Sequence, residues 1–167
     1  SHAPLPFPCK WCMKQSDYPL YLAEIESLTS RYPAMAIFKG LEIDFIPDVV
    51  SPASFRSSLD FTIRSIHFVD SFQGQGWEID STLEVFRHGL RNIFKNNIRD
   101  AVTRYFELTR QMVVRSRPDI VGHLDKIKIH NTPDPFFDES EPWYIDEIQK
   151  TLKAILNENI IIEVNTR

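Results

Sequence analysis

The order in which apolar periodicity changes along the chain constrains its fold more than any other feature. Leu20, Ala23, Ile25, Leu28 and Tyr32 have helical spacing, with Asp17 in front as an N-cap and Pro33 just past the end. Residues 35–38 and 41–46 then make an apolar, β-prone run closed by Pro47, and a second run covers residues 61–69. Residues 73–80, with Gly74 and Gly76 near Trp77, read as a loop. From 81 to 115 the pattern is helical again, with Leu83, Phe86, Leu90, Ile93 and Phe94, then Val102, Phe106 and Met112. An interruption near Asn96-Asn97 makes this two helices. A short strand at 120–124, a Pro- and Asp-rich loop at 132–142, a helix at 143–156 and a strand at 160–164 complete the series. Helix and strand alternating in this way predict a parallel α/β sheet or barrel.

Length sharpens that expectation. A complete (β/α) barrel takes ~250 residues, so about four predicted strands correspond to roughly half to two thirds of one. The chain has 167 residues and ends on a strand-like Ile-Ile-Ile-Glu-Val run, which suggests part of a larger barrel.

Composition removes several function classes. Lys and Arg number 19 against 23 Asp and Glu, a net charge of -4, so nothing draws the chain as a whole to nucleic acid or an anionic membrane. A phosphate-bearing ligand has to be captured by local cations. Glycine is scarce, at 5 residues against 11 prolines, and neither a phosphate-cradling Gly loop nor a dinucleotide fingerprint occurs. No stretch is apolar enough for a membrane span and no signal peptide is evident. The two cysteines, Cys9 and Cys12, share one Cys-Lys-Trp-Cys motif, which points to a reducing, cytoplasmic setting. That motif reads as a redox pair or half a zinc site, although no second pair and no thioredoxin-like strand accompanies it.

The polar residues inside the β-runs carry the chemistry. Glu42, His67, His123 and Glu163 each lie in or at the end of a separate apolar run, where burial is costly unless the group is paired or metal-bound. Strand ends converge on one face of parallel α/β folds, so these groups can meet. His and carboxylate ligands without cysteine suit Zn, Mn or Fe, and a shared glutamate suits a multinuclear site that clamps a phosphoryl group. A single such histidine is more often a hydrogen-bonded core residue, and spacing alone leaves both readings open. His88, beside Arg87 and Arg91, is explained by a solvated helix face, and His130 by a loop rim. Lys126, Lys128 and Arg167 follow strand ends and are candidate phosphate ligands.

Six segments together, in order along the chain, resemble the histidinol-phosphatase branch of the polymerase-and-histidinol-phosphatase (PHP) family. They are Ser1-His2-Ala3-Pro4, Gly40-Leu41-Glu42-Ile43-Asp44-Phe45, Ser65-Ile66-His67-Phe68-Val69-Asp70, Trp77-Glu78-Ile79-Asp80, Gly122-His123-Leu124-Asp125-Lys126-Ile127-Lys128 and Glu163-Val164-Asn165-Thr166-Arg167. The resemblance implies a distorted TIM-like (β/α)7 barrel, present here in part, with residues 1–167 as the central portion of the domain. It implies two or three divalent ions (Zn, Mn or Fe) held by His2, the bridging Glu42, His67 and His123. It places Arg167, and less directly Lys128, on the substrate phosphate. The family's opening His-x-His and closing Asp-x-His motifs are not in the sequence.

The expected activity is hydrolysis of a phosphate monoester, L-histidinol phosphate in histidine biosynthesis, by metal-activated hydroxide. The expected partner is a small phosphate ester, with no membrane and no nucleic acid. Asp70, Trp77, Asp80 and Phe68 flank the His67 run and are candidates for contacting the leaving group, with ordinary loop and core roles as the alternative. Another phosphate ester such as a nucleotide, or a non-catalytic metal-binding domain, are the other readings.

Overall fold

The computed structural model describes residues 1–51 and 53–164. Numbered along the chain, its elements are α1 (Tyr18–Arg31), β1 (Gly40–Asp44), β2 (Phe61–Ser65), β3 (Phe68–Phe72), β4 (Gln75–Glu78), α2 (Leu83–Phe94), α3 (Ile98–Ser116), β5 (Ile120–Val121), α4 (Pro142–Asn157) and β6 (Ile161–Ile162). β1, β2, β5 and β6 form a parallel sheet in that order, while β3 and β4 form an antiparallel hairpin. Each parallel strand lies beside its predecessor with no reversal of order. A doubly wound sheet reverses at a switch point, whereas a barrel does not. The described strands make an open, four-stranded sector of mixed α/β type, and barrel closure is not among the described residues.

The start of the chain extends the sheet by one bridge. His2 lies parallel to Glu42, with Ala3 N–H donating to the Glu42 carbonyl at 2.7 Å and Glu42 N–H to the Ser1 carbonyl at 3.0 Å. Side chains alternate across β1, so Leu41 and Ile43 are buried with Ala3 and Val50, and Gly40, Glu42 and Asp44 share the opposite face. Burying a side chain of the Leu or Ile kind contributes about 1.5–3 kcal/mol, which anchors the register that presents Glu42.

Three expectations from sequence need correction. Residues 35–38 are not a strand: Met35 and Phe38 are 63% and 65% exposed, so apolar content there buries little. The 61–69 run is two strands of different sheets, because the chain leaves the parallel sheet after Ser65 and β3 turns back on β4. Residues 75–78 are strand rather than loop. Gln73 and Gly74 both have positive φ, 52° and 79°, and this suits the turn that matches hairpin twist. The helix break was legible: Lys95 and Asn96 are left-handed, Thr82 caps α2 through Val85 N–H and Asn97 caps α3 through Asp100 N–H. Asp17 makes no such capping bond, and α1 buries none of its residues fully.

The main core lies between the hairpin and α2, α3 and α4. Trp77 packs on Phe86 and Phe94 with ring centres 5.2 and 5.6 Å apart, and Phe106 of α3 packs on Tyr144 of α4. Gly89 is required there, since a Cβ would stand 2.1 Å from the Trp77 indole. No helix among the described residues is long and apolar enough to cross a membrane.

Candidate metal centre

Glu42 is the hub of the polar face. In the neighbouring strand Ser65 pairs with Asp44 in register, and its hydroxyl donates to Glu42 Oε1 at 2.7 Å. Two residues beyond the end of β2, His67 Nε2 is 3.7 Å from the same oxygen; two residues beyond β5, His123 Nε2 is 3.2 Å from it. His2, held by the bridge to β1, has Nε2 3.6 Å from Glu42 Oε2. The four expected ligands therefore come together from four separate segments. Close approach of β5 to β2 depends on Gly122, where a Cβ would lie 2.4 Å from Ser65 Oγ. Glu163, named in the sequence alongside these residues, accepts from His123 N–H at 3.0 Å and so braces the His123 backbone.

Electrostatics favour an anionic hub. Burial would raise the Glu42 carboxyl, but hydrogen bonds from His123 and Ser65 and the adjacent His2 and His67 outweigh it and hold it down at about 2. Burial would lower His67, yet Asp44, Asp80 and Glu42 together raise it. His2 is lowered, chiefly by burial. Asp44 Oδ1 lies 2.8 Å from His67 Nδ1. A carboxylate only accepts, so neutral His67 carries its proton on Nδ1 and turns the Nε2 lone pair toward Glu42. Sequence reading did not assign Asp44 this part, although its i+2 spacing from Glu42 places both on one strand face.

Two overlapping groups can hold a cation: His2, Asp44 and His67, or Glu42, His67 and His123, with ligand atoms within 4.8 Å of one another in each. The residues fit such an ion. The Nε2 atoms of His2, His67 and His123 each lie 3.2–3.7 Å from a Glu42 oxygen, and beside them Asp80 Oδ1 is buried without a hydrogen-bond partner, a cost that a bound cation or its water would offset. The all-nitrogen-and-oxygen donor set suits Zn, Mn or Fe. The second group fits better, because it uses the free Nε2 of His67 and leaves the Asp44 bond intact.

The expected phosphate ligands are placed differently. The Lys128 ammonium lies 2.9 Å from Asp125 and 3.0 Å from Glu139, and these carboxylates raise it well above the ordinary lysine value. Lys126 instead reaches Asp80 Oδ2 at 3.4 Å, and that same oxygen is 3.9 Å from His67 Nε2. Arg167 lies outside the described residues. His88 is exposed on α2, and His130 Nε2 meets the Ser81 carbonyl; neither belongs to the cluster. Of the residues flanking His67, Trp77 is core and Asp70 accepts three hydrogen bonds from Arg104 Nε and Nη2.

Beside the cluster is a cleft of about 1130 Å³, bounded by the loop carrying Phe7 and Trp11 and by the β3–β4 hairpin with Phe68 and Glu78. Trp11 belongs to both places. Its ring centre is 4.7 Å from His2 and 5.0 Å from His67, and its indole N–H donates to Glu78 Oε1 at 2.5 Å. Nothing in the sequence marked Trp11, since its contacts to His67 and Glu78 cross more than fifty residues of chain.

A mixed α/β domain whose parallel strands deliver histidines around an ionised glutamate defines a class, and the comparison with known families agrees. Residues 2–167 match the PHP domain, and the chain belongs to that family. It is 25% identical over 154 residues to a probable histidinol-phosphatase of Schizosaccharomyces pombe, covering 87% of this chain and 48% of the relative. It is 28% identical over 144 residues to a probable histidinol-phosphatase of Deinococcus radiodurans, covering 81% of this chain and 52% of that protein. The chain thus spans about half the length of the curated relatives it matches.

Proposed function

We propose that the chain carries the catalytic centre of a metal-dependent phosphomonoesterase acting on L-histidinol phosphate. The observation that supports this most is the meeting of His2, His67 and His123 on the Glu42 carboxylate. Divalent ions supply such a centre with an activated water at neutral pH and with positive charge for phosphoryl oxygens. The chain's own residues do the positioning. Glu42 and the three imidazoles bind, Asp44 retains the proton of His67 at Nδ1, and Ser65 and Glu163 keep Glu42 and His123 in place. Lys126, at the edge of the cluster through Asp80, is the better placed of the two lysines to meet a phosphoryl oxygen. Arg167, outside the described residues, is the second proposed cation for the phosphate through its place in the Glu163-Val164-Asn165-Thr166-Arg167 segment.

The adjoining cleft is where the leaving group fits. Trp11 and Phe68 offer aromatic surface, with ring centres 6.1 Å apart, and Glu78 offers charge for an amine. Both relatives are named as probable histidinol-phosphatases, which supports that substrate class. The test is phosphate release by the full-length protein with Mn or Zn from histidinol phosphate and from a panel of other monoesters, beside a Glu42→Ala variant. Release confined to, or fastest from, histidinol phosphate and lost in the variant is expected. Equal release by the two proteins refutes the mechanism, and preference for another ester refutes the substrate.

A further inference from the structure

The Cys9 and Cys12 thiols have no part in the proposed hydrolysis, yet they enclose Trp11, which walls the His2 and His67 side of the cluster. Both cysteines are free and partly exposed, Cys9 lines the cleft, and Cys9 is near enough to act on the Cys12 thiol. Between them sits Trp11, packed against His2 and His67 and bonded to Glu78. We propose that Cys9 and Cys12 are a reversible thiol–disulfide site whose oxidation by a small-molecule disulfide moves Trp11 and weakens the neighbouring metal centre.

The chemistry balances without help from the metal. Cys9 loses its proton to solvent and its sulfur attacks one sulfur of the oxidant, breaking that S–S bond and releasing one thiolate, which takes a proton. Cys12 then attacks the Cys9 sulfur of the mixed disulfide, forming the internal bond and expelling the second thiol with the Cys12 proton. Two electrons pass from the cysteine pair to the oxidant. Burial, with the hydrogen bond to Cys9 next in weight, raises the Cys12 thiol. Attack by Cys9 first follows from that direction and from the place of Cys9 in the cleft wall, and the exchange balances in either order.

Geometry links the bond to the site. A disulfide holds its sulfurs at about 2.05 Å, with a dihedral near 90°, whereas two free thiols are farther apart and turn freely. Closing the bond across Lys10 and Trp11 re-sets the backbone of the loop. On this proposal the indole leaves the contacts with Glu78 and the two imidazoles that it makes in the dithiol. The link to metal rests on the reading of the His2, Glu42, His67 and His123 cluster, but formation of the disulfide does not.

The experiment uses the full chain, freed of metal by chelation and equilibrated with glutathione from fully reduced to fully oxidised. Intact mass should fall by about 2 Da in the wild type, as two thiol hydrogens are lost. Cys12→Ser should stop as a glutathione adduct on Cys9, and tryptophan emission should change on oxidation in the wild type but not in Trp11→Phe. Mn(II), which has little affinity for thiols, should bind the oxidised chain about tenfold more weakly than the reduced one. A chain that stays dithiol, or takes glutathione on both cysteines without an internal bond, overturns the redox site. Internal oxidation with unchanged emission overturns the movement of Trp11. Equal Mn(II) affinity of the two forms overturns the coupling, and absence of Mn(II) binding to both forms overturns the metal reading along with the coupling while leaving the disulfide standing.

Discussion

Gly122→Ala tests whether packing of the sheet and shape of the site are one problem. The new Cβ would lie 2.4 Å from Ser65 Oγ, 3.2 Å from Ile63 Cγ2 and 3.5 Å from Glu163 Oε2, with every other neighbour farther away. Ser65 cannot turn aside freely because its hydroxyl is bonded to Glu42 Oε1 at 2.7 Å. The substitution therefore combines an overpacking cost of about 1–3 kcal/mol with loss of a hydrogen bond to a charged acceptor, about 1.5–3 kcal/mol. Ser65→Ala alone loses only the bond. In the double variant the clashing oxygen is gone and the methyl added at position 122 meets ordinary contacts, apart from Ile63 at 3.2 Å. Its cost should approach that of Ser65→Ala, so the coupling between the two positions should approach the whole cost of Gly122→Ala, about 2.5–6 kcal/mol from the two contributions together. Urea unfolding of the four proteins measures this. Single-variant costs that add to within about 0.5 kcal/mol would refute the argument.

Four further outcomes are expected. Gly89→Ala, whose Cβ would meet the Trp77 indole at 2.1 Å, should lower stability by about 1–3 kcal/mol in thermal melts while folded protein still takes up metal. Asp44→Asn should weaken Mn(II) binding about 10–100-fold in titrations, because the amide no longer fixes the proton on His67 Nδ1. Asp119 is held below the ordinary aspartate value: burial would raise it, but Thr62 N–H and hydroxyl at 2.7 and 2.9 Å prevail. A depressed carboxyl stabilises fully above its unfolded value and loses that contribution as pH falls through the folded one. Asp119→Asn should therefore flatten the acid limb of stability below about pH 4, as read by unfolding at a series of pH values. Glu78→Gln keeps an acceptor for Trp11 but removes charge, so it should raise KM for histidinol phosphate about tenfold and leave KM unchanged for a phosphate monoester whose leaving group has no amine.

What the sequence could reveal followed from locality. The break between α2 and α3 was legible because Asn96 and Asn97 are turn and cap formers that act within a few residues. Glu42, His67 and His123 were legible because charged or imidazole groups in apolar β-runs conflict with burial, and that conflict is visible in one dimension. The division of 61–69 between two sheets was not, since Phe61 to Val69 is uniformly β-prone and only tertiary packing ends β2 at Ser65. Lys126 and Lys128 could not be ranked either: they are two residues apart, and what separates them is the direction of a short helical turn toward Asp80 or toward Asp125 and Glu139.

The site draws its precision from the backbone ladder rather than from loops. His2 is tied to β1 by two hydrogen bonds at Glu42 itself, Ser65 is in register with Asp44, and Gly122 N–H donates to the Arg64 carbonyl at 2.9 Å immediately before His123. Every ligand candidate is thus within two residues of an inter-strand bond. A one-residue slip of β1 would send Glu42 into the cluster of Leu41 and Ile43 and would leave an isoleucine facing three imidazoles. Hydrophobic burial on one face and ligand placement on the other are therefore enforced by the same register. A Cβ at Gly40 would collide with the ring of Phe61, its partner in β2, so Gly40→Ala should displace the β1–β2 register and damage metal binding without touching a ligand.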